Sequence, residues 1–132
     1  MKISDFQFTN PYLVEMYFVE NSEFDKMIDH ELEVNNTMEV KVQRDDDESE
    51  AKVQLSLNIN MDSDSNKIPF KLSVTVAADF TWDESLDEKT VESMLNLNAP
   101  ALLLGYMRPI VATITNSSAF PVYNIPFINF KE

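Results

Sequence analysis

Apolar and polar residues alternate along much of the first two thirds of the chain, then give way to a longer period, and finally to none. Residues 2–9 (Lys-Ile-Ser-Asp-Phe-Gln-Phe-Thr) read as a strand that ends at Asn10-Pro11. Residues 12–24 carry Tyr12, Tyr17, Phe18 and Phe24 without a clean period, so an extended or irregular segment is expected there. Three clearer strands follow. Residues 37–44 place Met38, Val40 and Val42 on one face, and residues 51–60 do the same with Val53, Leu55, Leu57 and Ile59. Residues 67–82 carry Phe70, Leu72, Val74 and Val76 at period two. One buried face per strand is the mark of antiparallel pairing. The polar stretches 45–50 and 62–66 between them are short enough for hairpin turns.

After Asp83 the period lengthens. Leu86, Val91, Met94 and Leu95 fit a helix over residues 84–97. Asn98 is placed to cap a second helix, with Pro100 in its first turn. That helix, residues 101–116, carries Leu102, Leu103, Leu104, Ile110, Val111 and Ile114, more than one sheet-facing stripe requires. The surplus predicts a subunit interface. Gly105, the only glycine, lies inside it, where close backbone contact is the expected reason, and Pro109 should kink it. Residues 119–130 hold two prolines and many aromatics, which predicts an extended segment lying along a surface. No repeat or linker divides the chain, so residues 1–132 are read as one α+β domain.

Composition narrows the possible functions. There is no Cys, which removes disulfides, thiolate nucleophiles and thiolate metal sites. The N-terminus lacks a signal-peptide pattern and no run approaches the roughly 18 apolar residues of a membrane span, so a cytoplasmic protein is expected. The net charge of −13 disfavours nucleic acid and anionic membranes, and it either attracts basic partners or serves only solubility.

Candidate chemistry is sparse. The one histidine, His30, stands between Asp29 and Glu31 without the further ligands that a triad or a zinc site needs. A single glycine cannot build a phosphate-cradling loop. Residues 62–66 begin like a calcium loop, but Lys67 stands where glycine is required and Ser73 where the bidentate Glu belongs, so a plain turn is the better reading. The acidic run 45–50 reads as a solvated turn. No catalytic residue, metal or cofactor is expected.

The last third carries a more specific signal. Pro100-Ala101-Leu102-Leu103-Leu104-Gly105-Tyr106-Met107-Arg108 precedes Phe120-Pro121 and Ile125-Pro126-Phe127-Ile128-Asn129-Phe130. This resembles the SecB export-chaperone family, whose pattern is an apolar helix with Tyr-x-Arg, then Thr-Phe-Pro, then Leu-x-Pro-Val-Asn-Phe. Ala119 replaces the Thr, and one extra residue separates Pro126 from Asn129. The match covers residues 98–130; upstream only the strand order and a Phe-rich fourth strand agree.

The resemblance implies a four-stranded antiparallel sheet with two helices on one face. It also implies a homo-dimer or homo-tetramer, and unfolded polypeptide clients held in hydrophobic grooves without ATP, with possible service in protein export. Dedicated chaperones of antitoxins, and relatives without an export role, share the resemblance. The chain ends at Glu132, where the family continues into a last helix, so that helix is expected to be missing. Ser73 falls at a position where the family's motor-docking surface is acidic, with Lys71 beside it, which counts against the translocase motor ATPase that the resemblance offers as a partner, and Ala77 and Ala78 replace strand glycines. Phe80, Trp82, Phe120, Tyr123 and Phe127 are the candidate polypeptide contacts, with core filling as the alternative. Leu102, Leu103, Tyr106, Ile110 and Ile114 are the candidate oligomer contacts. Arg108, on an apolar helix, should find a carboxylate or a carbonyl.

Overall fold

Period-two alternation becomes a four-stranded antiparallel sheet in the computed structural model of the chain, which describes residues 1–24, 34–45 and 48–131. The strands are β1 (Phe6–Glu20), β2 (Asn36–Asp45), β3 (Glu50–Ile59) and β4 (Phe70–Trp82), in the order β1-β4-β3-β2. His30 lies outside the described residues, as do Asp46 and Asp47 of the acidic turn.

β1 corrects the reading of residues 2–24. The expected short strand and the irregular segment after it are one strand of 15 residues. Two bulges explain the lost period. Thr9 faces Asp79 while Tyr12 faces Ala77, and Leu13 faces Val76 while Glu15 faces Thr75. Each bulge shifts the alternation by one residue, and two restore it. Phe6, Phe8, Met16 and Phe18 therefore all reach the core side. Pro11 is tolerated because β1 is an edge strand and Pro11 falls at the first bulge.

β3 and β4 are the central strands and supply most of the core. Val53, Leu55, Leu57, Ile59, Leu72 and Val74 are fully buried, and Phe80 is 2% exposed. A large apolar side chain contributes about 1.5–3 kcal/mol when fully buried. The turn after β3 depends on Asn60, whose φ of 59° is left-handed. Its side chain accepts from the Asn35 amide at 2.8 Å and donates to the Phe70 carbonyl at 3.0 Å. Asn tolerates this backbone region because its short amide can bond locally. Asn21 anchors the other side of the crossing from β1 to β2, donating to the Ser65 and Ile68 carbonyls at 3.1 and 2.9 Å.

The two expected helices are one. α1 (Glu88–Ser93) begins at Asp87, which caps it by accepting from the Thr90 amide at 3.0 Å. A π-helical turn, Met94–Asn98, joins it to α2 (Ala99–Asn116). Asn98 has helical φ and ψ and makes no side-chain cap. Pro100 has no N–H to give Asn96, and the turn before it widens so that the Ala99 amide reaches the Met94 carbonyl. Val91, Leu95, Ala99, Leu103, Met107 and Val111 are buried at steps of four. A plain α-helix overshoots by about 40° at each such step, and a wider turn takes up part of that drift.

Pro109 is carried within α2. Gly105 corrects a second expectation: a side-chain carbon built there meets nothing within 4 Å, so no close approach among the described residues calls for a glycine. The continuous helix, Glu88–Asn116, is long and apolar enough to cross a membrane by length and composition alone, which counting runs of apolar residues did not anticipate. Its buried side chains cover the sheet instead.

Candidate functional site

Residues 119–131 leave the end of α2 and run back along it as an extended strap. Ser117 and Ser118 make the stop: their hydroxyls donate to the Thr113 and Thr115 carbonyls at 2.8 and 2.6 Å. Ser118 Oγ also accepts from the Phe120 amide at 3.1 Å, which turns the chain. The Tyr123 amide donates to the buried Thr115 hydroxyl at 2.8 Å. The side-chain amide of Asn36, at the start of β2, donates to the Tyr123 hydroxyl. One turn and more toward the start of α2, Arg108 donates to the carbonyls of Ile125 and of Pro126, the latter at 3.0 Å. Its guanidinium fork thus finds carbonyls rather than a carboxylate.

The strap fills the space between α2 and the edge strand β2. Ile125 is buried, and Ile128 and Phe130 are half-buried against the core. A cleft of about 380 Å³ remains between Met38 and Val40 of β2, Asn96 of the helix, and Ile128, Asn129 and Phe130 of the strap. Among the described residues β2 pairs only with β3, which leaves its outer edge open. Val40 is 38% exposed beside it; Val122 (43%) and Phe127 (102%) project outward from the strap. Apolar side chains are thus exposed both on the edge strand and on the strap packed beside it.

The five candidate polypeptide contacts divide into two groups. Phe120 belongs to an aromatic cluster with Phe24 and Phe70, at 5.5 and 6.1 Å, and Phe70 continues it to Phe18 at 5.3 Å. Tyr123 and Phe127 lie on the same strap as Phe120. Phe80 and Trp82 belong to another row: Phe6 stacks on both, at 5.6 and 5.9 Å, and Phe8 links Phe80 to Tyr106. Phe80 is a core residue, 2% exposed, at the floor of an apolar cleft of about 470 Å³ between β1 and the start of α2. Trp82 is half-buried under the Arg44 guanidinium, 5.3 Å from its ring. Arg44 also pairs with Glu88, and its donated hydrogen bond holds the Glu88 carboxyl below the usual range.

Of the candidate oligomer contacts, Leu103 is fully buried against the sheet and cannot reach a second subunit. Leu102, Ile110 and Ile114 are half-buried, and Tyr106 is 45% exposed. They share α2 with Ala101, Gly105 and Pro109, which are exposed. Sequence reasoning missed Asn36, Met38 and Val40 as parts of the site, because their side chains look like ordinary strand residues. Among the described residues no three His, Asp or Glu side chains converge as a metal would need.

The outer sheet face is mixed in charge. Lys52 on β3 is pushed above its ordinary pKa by a hydrogen bond with the Tyr12 hydroxyl, and then by Asp79. Ser73 is buried on this face, opposite Tyr17, and Lys71 lies 3.6 Å from Asp64.

Residues 2–132 match the family model described as preprotein translocase subunit SecB. The chain belongs to the SecB family. A protein-export protein SecB of Anaplasma phagocytophilum (strain HZ) is 35% identical over 49 residues, a match spanning 37% of this chain and 31% of that relative. The fold is similar to that of the SecB-like chaperone Rv1957 of Mycobacterium tuberculosis, solved with a ChAD peptide from the Rv1956 HigA1 antitoxin. The TM-score is 0.74 at 16% identity, covering 94% of this chain and 91% of that one. A Streptococcus agalactiae protein of unknown function aligns over 96% of this chain and all of its own, with a TM-score of 0.50 at 14% identity. The SecB fold expected from the sequence is therefore the fold observed, with its helices continuous.

Proposed function

We propose that this SecB-family chain is a cytoplasmic, ATP-independent chaperone that holds extended polypeptide segments along β2 and the strap, and that it is not an enzyme. The observation that carries the reading is the exposure of Val40 on an edge strand and of Val122 and Phe127 on the strap that packs beside it. An open edge offers main-chain hydrogen bonds to any sequence, and apolar side chains add affinity with little sequence readout. The strong negative charge suits clients with basic segments. Service in protein export is consistent with the family; the sheet face around Ser73 is mixed in charge, with Lys71 beside Asp64, so docking to a translocase motor is not part of the proposal. The test is aggregation of a chemically unfolded client after dilution. Near-stoichiometric protein should delay it, and no delay with several clients would sink the reading.

A second reading is favoured by the fold neighbour solved with an antitoxin peptide: a chaperone dedicated to one partner. Affinity capture that returns one stoichiometric protein supports it, whereas a mixture of precursors supports the general chaperone. Under either reading the exposed side of α2, with Leu102, Tyr106, Ile110 and Ile114, is the proposed homo-oligomer interface. Gly105 supports this, since its open side would let another backbone approach closely.

A further inference from the structure

The groove between α2 and β2, next to the surface proposed for clients, already holds a polypeptide. Residues 125–130 lie extended in it and place Ile128 and Phe130, two residues apart, beside Met38 and Val40. Arg108 grips two successive main-chain carbonyls, at Ile125 and Pro126, and carbonyls are what any peptide presents. Apolar contacts do the rest: Ile125 is buried in the core, with Ile128 and Phe130 half-buried against it. Among the described residues, no backbone-to-backbone hydrogen bond joins residues 121–131 to another part of the chain. A piece of sheet or helix would carry a ladder of such bonds; this segment is held by side chains from α2 and β2 and by its own apolar contacts.

We propose that residues 125–130 are a built-in competitor, seated where a client's extended apolar-x-apolar segment binds and latched by Arg108 until the client displaces them. The proposal rests on the polypeptide-binding reading and adds how that site is regulated and what it prefers. The preferred client segment has the strap's own chemistry: extended, with large apolar side chains at alternate positions and free carbonyls just before them. Phe127, fully exposed between the latch and the seat, offers an arriving client an apolar contact before the strap leaves. A strap closed in about nine molecules of ten lowers apparent client affinity about tenfold, and loosening it restores that factor.

The experiment measures anisotropy of a labelled peptide with the sequence of residues 121–131, and of a labelled unfolded protein, titrated with the full chain. Phe130→Ser alone, and Ile128→Ser with Phe130→Ser, which loosen the strap and leave Arg108 to grip the client, should bind both probes up to about tenfold more tightly than the unmodified chain. Equal or weaker binding by the variants, with the unmodified chain binding the unfolded protein, overturns the competitor and leaves the polypeptide-binding reading intact. If no form binds either probe, both fall. Hydroxyl-radical footprinting of the unmodified chain does not depend on how the variants fold. The side chains of Ile125, Ile128 and Phe130 should be oxidised faster once the unfolded protein is bound, and unchanged labelling in the bound state overturns the proposal.

Discussion

The Tyr123 amide donates to the Thr115 hydroxyl at 2.8 Å, and this is where the strap first fastens to α2. The same hydroxyl donates to the Val111 carbonyl at 2.8 Å, so one buried oxygen serves the helix and the strap together. Thr115→Val keeps the shape and removes the acceptor, leaving the Tyr123 amide unpaired. The expected loss is about 1–3 kcal/mol by urea titration, the range for an unsatisfied buried donor. Thr115→Ser should lose much less, because it keeps the oxygen.

Phe80 is a core residue, although its type and position made it a candidate contact. Phe80→Ala should destabilise the fold by about 3–5 kcal/mol. Circular dichroism during denaturation reads this directly. A loss of client binding in a fully stable variant would show instead that Phe80 belongs to the binding surface.

Tyr106 makes the opposite case. It is 45% exposed on α2 and touches Phe8 only edge-on, at 6.3 Å between ring centroids. Tyr106→Glu should leave the melting curve of the isolated chain nearly unchanged while weakening self-association at least about tenfold, since a charge is driven into an apolar interface. Light scattering over a concentration series separates the two effects. A monomeric unmodified protein at micromolar concentration would remove α2 as the interface.

Acid should loosen the junction of β2 with α1. Arg44 holds Glu88 below the usual carboxylate range, so the folded pKa is lower than the unfolded one. The contribution of Glu88 is therefore fully present above the unfolded value near 4.5, and is lost as pH falls through the depressed folded value. Glu88→Gln should flatten the dependence of stability on pH in that acidic window and change little at neutral pH. Asp87, lowered by its hydrogen bonds with Thr90, falls away in the same direction, so the variant keeps a residual slope.

Much of this architecture was legible in the sequence. The regular alternation of β2, β3 and β4 marked the strands because each buries one face. Residues 98–130 carried a spacing specific enough to indicate the family. β1 was misread for a physical reason: two bulges, each adding one residue, disguise the period while the strand continues. The helix was divided in two because Asn98 and Pro100 form a good start signal, and a π turn lets the chain pass through them. The candidate contacts were chosen by residue type, and type does not tell an aromatic facing the core, such as Phe80, from one facing outward, such as Phe127. The seat of the strap was illegible because it needs Asn36, Met38 and Val40 brought beside Arg108 and Phe130, a pairing of distant segments that no local pattern announces.

The strand order has a consequence for how the molecule assembles. β2-β3 and β3-β4 join neighbours in sequence, so that three-stranded meander closes short loops and can form early. β1 instead pairs with β4 across most of the chain, with Phe6 opposite Trp82. Docking β1 closes the longest loop in the sheet, and until it docks β4 presents a bare edge and a row of uncovered aromatics. A copy of this protein that has yet to dock β1 therefore shows the very condition, exposed edge and greasy face, from which it is proposed to shelter others.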